Sequence, residues 1–528
     1  MHITKVIIKN YRCLQDTTVE LNAGLNILVG DNECGKSTLF EAINLALSGL
    51  LNGRPVAMEL HPYLFNAKAV SDYITELPGA QPPSILIELY FAPDTALAHL
   101  KGQINSCGED VPGVRLSIEF NQDYRADYAL YVAEKELIKT LPVEFYQPIW
   151  RGFSGNPIAS SRSIPIKPSL IDASTIRNNL AANRYVLDVI KDGLSPKQRV
   201  ELALSYRRMK DQFKEDATVE EINKSLKEQK GIISEKELSV SLDTTSRASW
   251  ETGIVPHLDE VPMPLVGKGE QNSVKIKLAM SNSAELHLLL IEEPENHLSF
   301  TNLNKLVEFI SVNRGSRQLL ITTHSSFVLN KLGVNAVLMF TANKNAPLTA
   351  LTPETLNYFL KLPGHDTLRL ILAKRAILVE GPSDELIVQK GYYRLKGKTP
   401  LADGVDVITV GALAFKRFLE IAVLLDRQVD VVTDNDGDIH KLKTKYDGYW
   451  EKGNIRIHHD SDVSLKTLEP QLVNANGLER VNKVLGTFYE DEASLLAFME
   501  KNKTECALHF FQSPDEWTAP EYIKRAIG

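Results

Sequence analysis

Gly30-Asp31-Asn32-Glu33-Cys34-Gly35-Lys36-Ser37 satisfies G-x-x-x-x-G-K-[ST] between an apolar strand and a helix running from about Lys36 through Leu47, and this context decides the fold. Glycines at both ends, Gly30 and Gly35, let the backbone wrap a phosphate chain, while the helix N-terminus aims its N–H groups at the anion. Lys36 neutralises charge, and Ser37, followed by Thr38, can ligate Mg²⁺; Asn32 lies within the same loop. A chance Gly-rich turn would not be followed, much later and in the right order, by the partners such a loop requires.

The first partner is Leu288-Leu289-Leu290-Ile291-Glu292-Glu293-Pro294-Glu295, a buried strand ending in acids. Two carboxylates at a strand tip are costly unless a metal, a water or a proton fills the gap, so Glu292 is expected near Mg²⁺ and Glu293 as the water-orienting base. The usual first acid is Asp, and Glu292 departs from that pattern. The second partner is His324 in Ile321-Thr322-Thr323-His324-Ser325, which resembles the switch histidine of ABC ATPases. Gly267-Lys268-Gly269-Glu270-Gln271, ahead of a helix, resembles a degenerate ABC signature without its Leu-Ser opening, with Gly267 and Gly269 as the nucleotide contacts. Such a signature completes the ATP site of a second head, so the resemblance implies a homodimer, whereas the helical arm could build a tetramer.

Outward from this loop, 528 residues call for two or three domains. The chain is 43% hydrophobic and 24% charged, an ordinary folded balance, and no apolar run is long enough to span a membrane. Net charge of −8 excludes a protein coated in positive charge but not a local basic groove. Cys13, Cys34, Cys107 and Cys506 lack CxxC spacing, which offers no zinc site and fits a reducing, cytoplasmic setting, as does an N-terminus without a signal-peptide core.

Two strands are expected from Ile3 to Val29, and another at Ile85–Phe91. Long charged helices follow from Asp172 to about Ser246, then an α/β pattern with strands at Leu288–Ile291 and Gln318–Ile321. The chain divides into the N-terminal part of an ATPase head (1–171), a helical insertion read as a dimerisation arm (172–246), the C-terminal part of the head (247–362) and a second α/β domain (363–528), with the boundary near Pro363.

That second domain carries Ile377-Leu378-Val379-Glu380-Gly381-Pro382-Ser383-Asp384, then Val407-Ile408-Thr409-Val410-Gly411, then Val431-Val432-Thr433-Asp434-Asn435-Asp436. Each is a strand ending in a turn or acids, and acids at neighbouring strand ends can converge on metal. Phosphodiester hydrolysis needs an activated water and a stabilised leaving oxygen, which Mg²⁺ or Mn²⁺ ions about 4 Å apart can supply. Glu380, Asp384, Asp434 and Asp436 are the candidate ligands.

The order E-G-x-x-D, G, D-x-D resembles the Toprim fold of topoisomerases, primases and OLD (overcoming lysogenisation defect) nucleases. Thr467-Leu468-Glu469-Pro470 resembles a later acidic motif of the OLD family, adding Glu469 to the metal shell. Asn502-Lys503-Thr504-Glu505 resembles its lysine motif, with Lys503 stabilising charge on the scissile phosphate. The opening Ile3–Arg12 resembles SMC, RecF and OLD heads. The family resemblance covers nearly the whole chain. It implies an α/β architecture with an ABC-type ATPase head, a helical insertion and a Toprim domain. It further implies a DNA endonuclease or nickase, often an anti-phage effector, with ATP regulating cleavage. Some relatives work beside a helicase, others beside a retron reverse transcriptase with its RNA–DNA product.

Arg207, Arg208 and Lys210, and the alternating Lys441, Lys443 and Lys445, are candidates for phosphate contacts; Asp438 and Asp462 are weaker acidic candidates. The rival reading is an SMC- or RecF-like DNA clamp or repair ATPase with a non-cleaving Toprim module. Topoisomerase or primase activity lacks a strand-passage apparatus or a zinc region, and a transporter would not explain the tail acids.

Overall fold

The N-terminus forms three strands rather than the two expected. β1 (Ile3–Tyr11) and β2 (Leu14–Glu20) form an antiparallel hairpin, and β3 (Leu25–Val29) is buried along its whole length. β2 escaped the sequence reading because Gln15, Asp16 and Thr18 face solvent, as suits an edge strand, and so mimic a polar turn. The computed structural model describes all residues except 31–33, 78, 134–137, 173–193, 229, 231–235, 244–249, 251–253, 282–285, 334–335, 341–344, 362–368, 372 and 412–413.

The chain forms two compact units, Met1–Pro168 with Arg317–Gly528, and Ser169–Ser316. In the first unit β3 feeds helix α1 (Lys36–Ser48), whose buried face carries Leu39, Phe40, Ile43 and Leu47. β4 (Ile85–Phe91), β5 (Val111–Phe120) and β6 (Tyr146–Gly152) extend the hairpin into an antiparallel sheet in the order β2-β1-β4-β5-β6. After the second unit the chain returns as β7 (Gln318–Thr322) and β8 (Val337–Phe340), which flank β3 in parallel, with β9 (Asn345–Pro347) antiparallel on β8. Buried Gln318 stitches the returning chain to the start: Oε1 accepts from the Ile3 N–H at 2.8 Å, and Nε2 donates to the Ile3 carbonyl at 2.7 Å.

The remainder of this unit is a second α/β layer. β10 (Arg375–Val379) leads into α2 (Pro382–Lys396), β11 (Val405–Thr409), α3 (Phe415–Leu425), β12 (Gln428–Val432), α4 (Ile439–Lys445) and β13 (Ile455–His458). The four strands are parallel in the order β11-β10-β12-β13. Helices α5 (Leu468–Asn476), α6 (Lys503–Gln512) and α7 (Glu521–Ile527) complete the core, in which Ile377, Val388, Leu472, Phe510 and Ile523 are buried together. Burial of strand side chains on both faces explains why these strands read as continuous apolar runs.

In the second unit the described part of the arm is helical at Pro196–Lys214 and Ala217–Glu228, and the first of these starts on a Ser195–Gln198 capping box. Residues 236–243 are not helical, so the arm is less helical than its charge pattern promises. The strand Leu288–Glu292 and the helices Lys268–Ser281 and Phe300–Asn313 form as expected. Pro363, the expected domain boundary, lies outside the described residues. No helix among the described residues is long and apolar enough to cross a membrane.

Candidate active site

From β10 the chain steps to β11 on one side and then returns to β12 on the other. This reversal opens a crevice at the carboxyl ends of β10 and β12, where open parallel sheets bind ligands. Glu380 directly follows β10 and Asp434 follows β12 by two residues, so the strands deliver both acids to the crevice. A cleft of about 320 Å³ is lined by Glu380, Asp384, Asp434, Glu469 and Lys503 among others. Residues as distant in sequence as Glu380 and Lys503 thus share one cleft, with Asp384 coming from the first turn of α2 and Glu469 from the first turn of α5.

The electrostatics are those of crowded acids. Burial pushes the Asp434 carboxyl up, and Asp384, Glu380, Glu469 and Asp436 add to it, reaching about 8. Burial likewise raises Asp384, with Glu380 and Glu469 contributing, to about 7, although the Gly381 N–H donates to its Oδ2 at 3.0 Å and opposes the shift. Among the described residues the Asp434 Oδ1 is buried without a hydrogen-bond partner. A buried carboxylate oxygen left in this way is costly, and a cation between these acids would relieve both the desolvation and the repulsion. Among the described residues, however, no three His, Cys, Asp or Glu side chains stand in a ready-made ligating array.

Two threonines, absent from the sequence-based candidates, aim the acids. The Thr433 hydroxyl donates to Glu380 Oε1 at 2.6 Å, and the Thr467 hydroxyl donates to Glu469 Oε2 at 2.8 Å. Their signal in sequence is a hydroxyl residue directly before an acid at a strand end and two before one at a helix start. Lys503 Nζ donates to the same Glu469 oxygen at 3.2 Å, and half of its side chain remains exposed.

Asp436 stands apart from this group: it is exposed, in a left-handed turn with φ 50°, and is not among the cleft-lining residues. Between the two aspartates, buried Asn435 donates to the carbonyls of Asp460 and Asp462 at 3.1 and 2.8 Å, tying the acidic loop to its neighbour. Asp438 caps α4 through the His440 and Lys441 N–H groups, and Asp462 accepts from Ser464; both serve local turns. The alternating lysines after the loop lie on a helix, so Lys441 and Lys445 share a face from which Lys443 diverges. Lys210 is buried against the Tyr206 ring and donates to the Asp243 carbonyl, so it is not available for phosphate, whereas Arg207 and Arg208 are exposed.

At the head, Asn32 lies outside the described residues. Gly30 admits no side chain, since a Cβ there would meet the Phe340 carbonyl oxygen at 1.9 Å. Gly35 starts α1 at φ 101°, a conformation that favours glycine. Lys36 is buried, its Nζ donating to the Gly30 carbonyl at 2.8 Å; Ser37 is exposed, and Thr38 Oγ1 is 3.3 Å from Cys13 Sγ. His324 follows β7 and is half-buried. In the second unit Glu292 ends its strand. Glu293 follows at φ 44° and accepts from Asn296 Nδ2 at 2.6 Å. Gly267 directly precedes the helix, but Gly269 lies within its first turn, where a Cβ would meet the His297 carbonyl oxygen at 2.2 Å.

A family model described as "AAA ATPase domain" matches residues 1–109, a AAA domain model matches 155–330, and "Overcoming lysogenization defect protein-like, TOPRIM domain" matches 371–436. A DNA replication and repair protein RecF of Acetivibrio thermocellus is 39% identical over 49 residues, which span 9% of this chain and 13% of that protein. The C-terminal region of the Xanthomonas campestris pv. campestris OLD protein is 21% identical, covering 29% of this chain and 92% of that one, at a TM-score of 0.23. The SMC head domain from Thermotoga maritima is 13% identical, covering 66% and 99%, at a TM-score of 0.31.

Proposed function

We propose that this chain, an OLD-family protein joining an ATPase head to a Toprim domain, is a metal-dependent DNA endonuclease or nickase regulated by nucleotide at its head. The observation that carries the reading is the unpartnered Asp434 Oδ1 in a cleft shared with Glu380, Asp384 and Glu469. Mg²⁺ or Mn²⁺ bound there would supply Lewis acidity toward the phosphate and a more acidic water. Glu380, Asp384, Asp434 and Glu469 would hold it, with Asp436 reaching in from the adjoining turn. Thr433 fixes the direction of Glu380, and Lys503 at the rim faces the charge that builds on the scissile phosphate.

At the head, Gly30, Asn32, Gly35, Lys36, Ser37 and Thr38 would cradle ATP with Mg²⁺, Glu292 would support the ion and Glu293 would orient water, with His324 at the γ-phosphate. Gly267 and Gly269 would complete the site of a second copy, giving a homodimer or tetramer. A role in bacterial anti-phage defence, beside a helicase or a retron reverse transcriptase with its RNA–DNA product, belongs to the same reading and draws its support from the family kinship.

The test is cleavage of plasmid and linear DNA with Mg²⁺ or Mn²⁺, with and without ATP, by wild type, Glu380→Ala and Lys36→Ala. The expected result is cleavage abolished by Glu380→Ala and changed only in its ATP response by Lys36→Ala. Cleavage that survives Glu380→Ala, or a wild type that never cuts even with its neighbouring gene products, overturns the reading in favour of a DNA clamp.

A further inference from the structure

Beside the acidic cleft lies a second pocket of about 320 Å³, lined by Arg369, Gln389, Lys390, Tyr393, Leu401 and Phe511 among others. Nothing in the proposed metal chemistry uses it. Its chemistry is a cation set among aromatic rings. Lys390 Nζ lies 6.0 Å from the Tyr393 ring centroid and 5.9 Å from that of Phe511, and among the described residues Lys390 makes no ion pair. Tyr393 is 51% exposed and Leu401 73% exposed, so large apolar surface faces the opening rather than the core. Also lining the pocket, the Arg369 guanidinium is held by both oxygens of Asp406, at 3.0 and 2.7 Å, and donates to the Val407 carbonyl, which makes it a fixed polar edge.

The same two helices that build the cleft build this pocket. α2 contributes Ser383 to the cleft and Lys390 to the pocket, and α6 contributes Thr504 to the cleft and Phe511 to the pocket. Each pair is separated by i, i+7 spacing, two helical turns on one face, or about 10 Å along the axis. Both helices turn their N-termini to the cleft and later turns to the pocket, so they run in the same direction. A strand whose phosphate sits among the acids would pass the pocket within about one or two nucleotides if it were unstacked.

Resting on the nuclease reading above, we infer that this pocket receives one unstacked nucleobase of the cut strand, next to the scissile phosphate. The base stacks on Tyr393 and Phe511, its phosphate pairs with Lys390, and the Arg369–Asp406 edge faces the rim of the base. Base stacking on aromatic side chains tolerates any sequence, so the pocket selects for an opened or single-stranded segment rather than for a motif.

Two measurements on the full-length protein test this. In the first, a single abasic position is walked along an oligonucleotide on either side of the cut. Wild type should lose cleavage rate by at least about fivefold at one position within two nucleotides of the cut, and the Tyr393→Ala/Phe511→Ala double variant should be slow on every substrate and indifferent to that position. A flat walk in wild type, or a double variant that keeps the same abasic sensitivity, overturns the inference.

The second measurement is binding of single-stranded DNA carrying 2-aminopurine, in Ca²⁺, and it does not require cutting. Quenching in wild type that the double variant loses supports the pocket even if the chain proves to be no nuclease. Equal quenching in both overturns it and leaves a protein side chain as the occupant. Lys390→Met, which keeps both rings, controls for folding: it should retain quenching, weaken binding a few-fold and lower the salt slope by about one.

Discussion

Lys503 Nζ donates to Glu469 Oε2 at 3.2 Å while about half of its side chain stays in solvent. Glu469 is 4% exposed and also takes the Thr467 hydroxyl, so the carboxylate is fixed and the lysine is the mobile partner. An ammonium held in this way can swing from Glu469 to a substrate phosphate without leaving the cleft. Lys503→Ala is expected to lower the maximal cleavage rate by about 10²–10³, the usual effect of losing one group that stabilises transition-state charge. Metal binding, followed by calorimetry on the uncut complex, should change far less, and Lys503→Arg should recover part of the rate. A Lys503→Ala enzyme with unaltered turnover would remove the lysine from the chemistry.

Among the described residues Asp434 carries a buried oxygen without a hydrogen-bond partner beside three other acids, so its ionised form is a liability to the metal-free fold. Asp434→Asn removes that charge at nearly constant volume. In EDTA at pH 8 the variant should melt a few degrees above wild type, since relief of roughly 1 kcal/mol moves a domain of this size by about 2–4 °C. Adding Mg²⁺ or Mn²⁺ should raise the midpoint of wild type by mass action and leave the variant nearly unmoved. Destabilisation by Asp434→Asn without metal would mean that the carboxylate has a stabilising partner instead.

Within β12, fully buried Asp430 gathers Arg375, Arg456 and His458, at 2.8, 2.8 and 2.7 Å. Burial alone would raise its carboxyl, but the hydrogen bonds from His458, Arg456 and Arg375 outweigh it and hold the group below its ordinary 3.8. Because the folded value is depressed, this stabilisation is complete above about pH 3.8 and disappears as the pH falls through the folded value. Asp430→Asn should cost roughly 2–4 kcal/mol at pH 7, discounted because Arg456 is more than half exposed, and should flatten the acid limb of the stability curve below pH 4. Denaturation at pH 7 and pH 3 checks both; equal losses at the two pH values would show that packing, not charge, is at stake.

The acidic strand ends were legible because a buried apolar run followed by an acid has few physical excuses, and Glu380 and Asp434 emerge on adjacent strands of the parallel sheet. The aiming hydroxyls of Thr433 and Thr467 were not, because a threonine on a strand or before a helix is ordinary by propensity and only the fold turns it toward an acid. Asp436 shows what spacing leaves open: D-x-D suggests two equivalent ligands, yet the chain turns left-handed at Asp436, which is exposed and not among the residues lining the cleft. The lysines after it read as alternating, but the Asp438 cap starts a helix that rotates Lys443 off their shared side. Such turns depend on local backbone geometry that residue type alone underdetermines.

One contact bears on how the head could speak to the cleft. Thr352, just beyond the short strand β9, donates to Glu420 on α3 through both its backbone N–H and its hydroxyl, the latter at 2.9 Å. α3 precedes β12, the strand that ends at the Asp434 loop, so a shift of Thr352 would be passed to the acid through one packed helix. Among the described residues Glu420 shares no hydrogen bond or ion pair with the cleft-lining acids, so Glu420→Ala should leave metal-dependent cleavage without nucleotide within about twofold. What should fall is the difference between cleavage with and without ATP. Thr352→Val, which removes only the hydroxyl bond and keeps the N–H, should produce a smaller version of the same loss. Retention of the full ATP response in Glu420→Ala would mean that coupling runs by another route, whereas loss of basal cleavage in both variants would mark the contact as support for the fold.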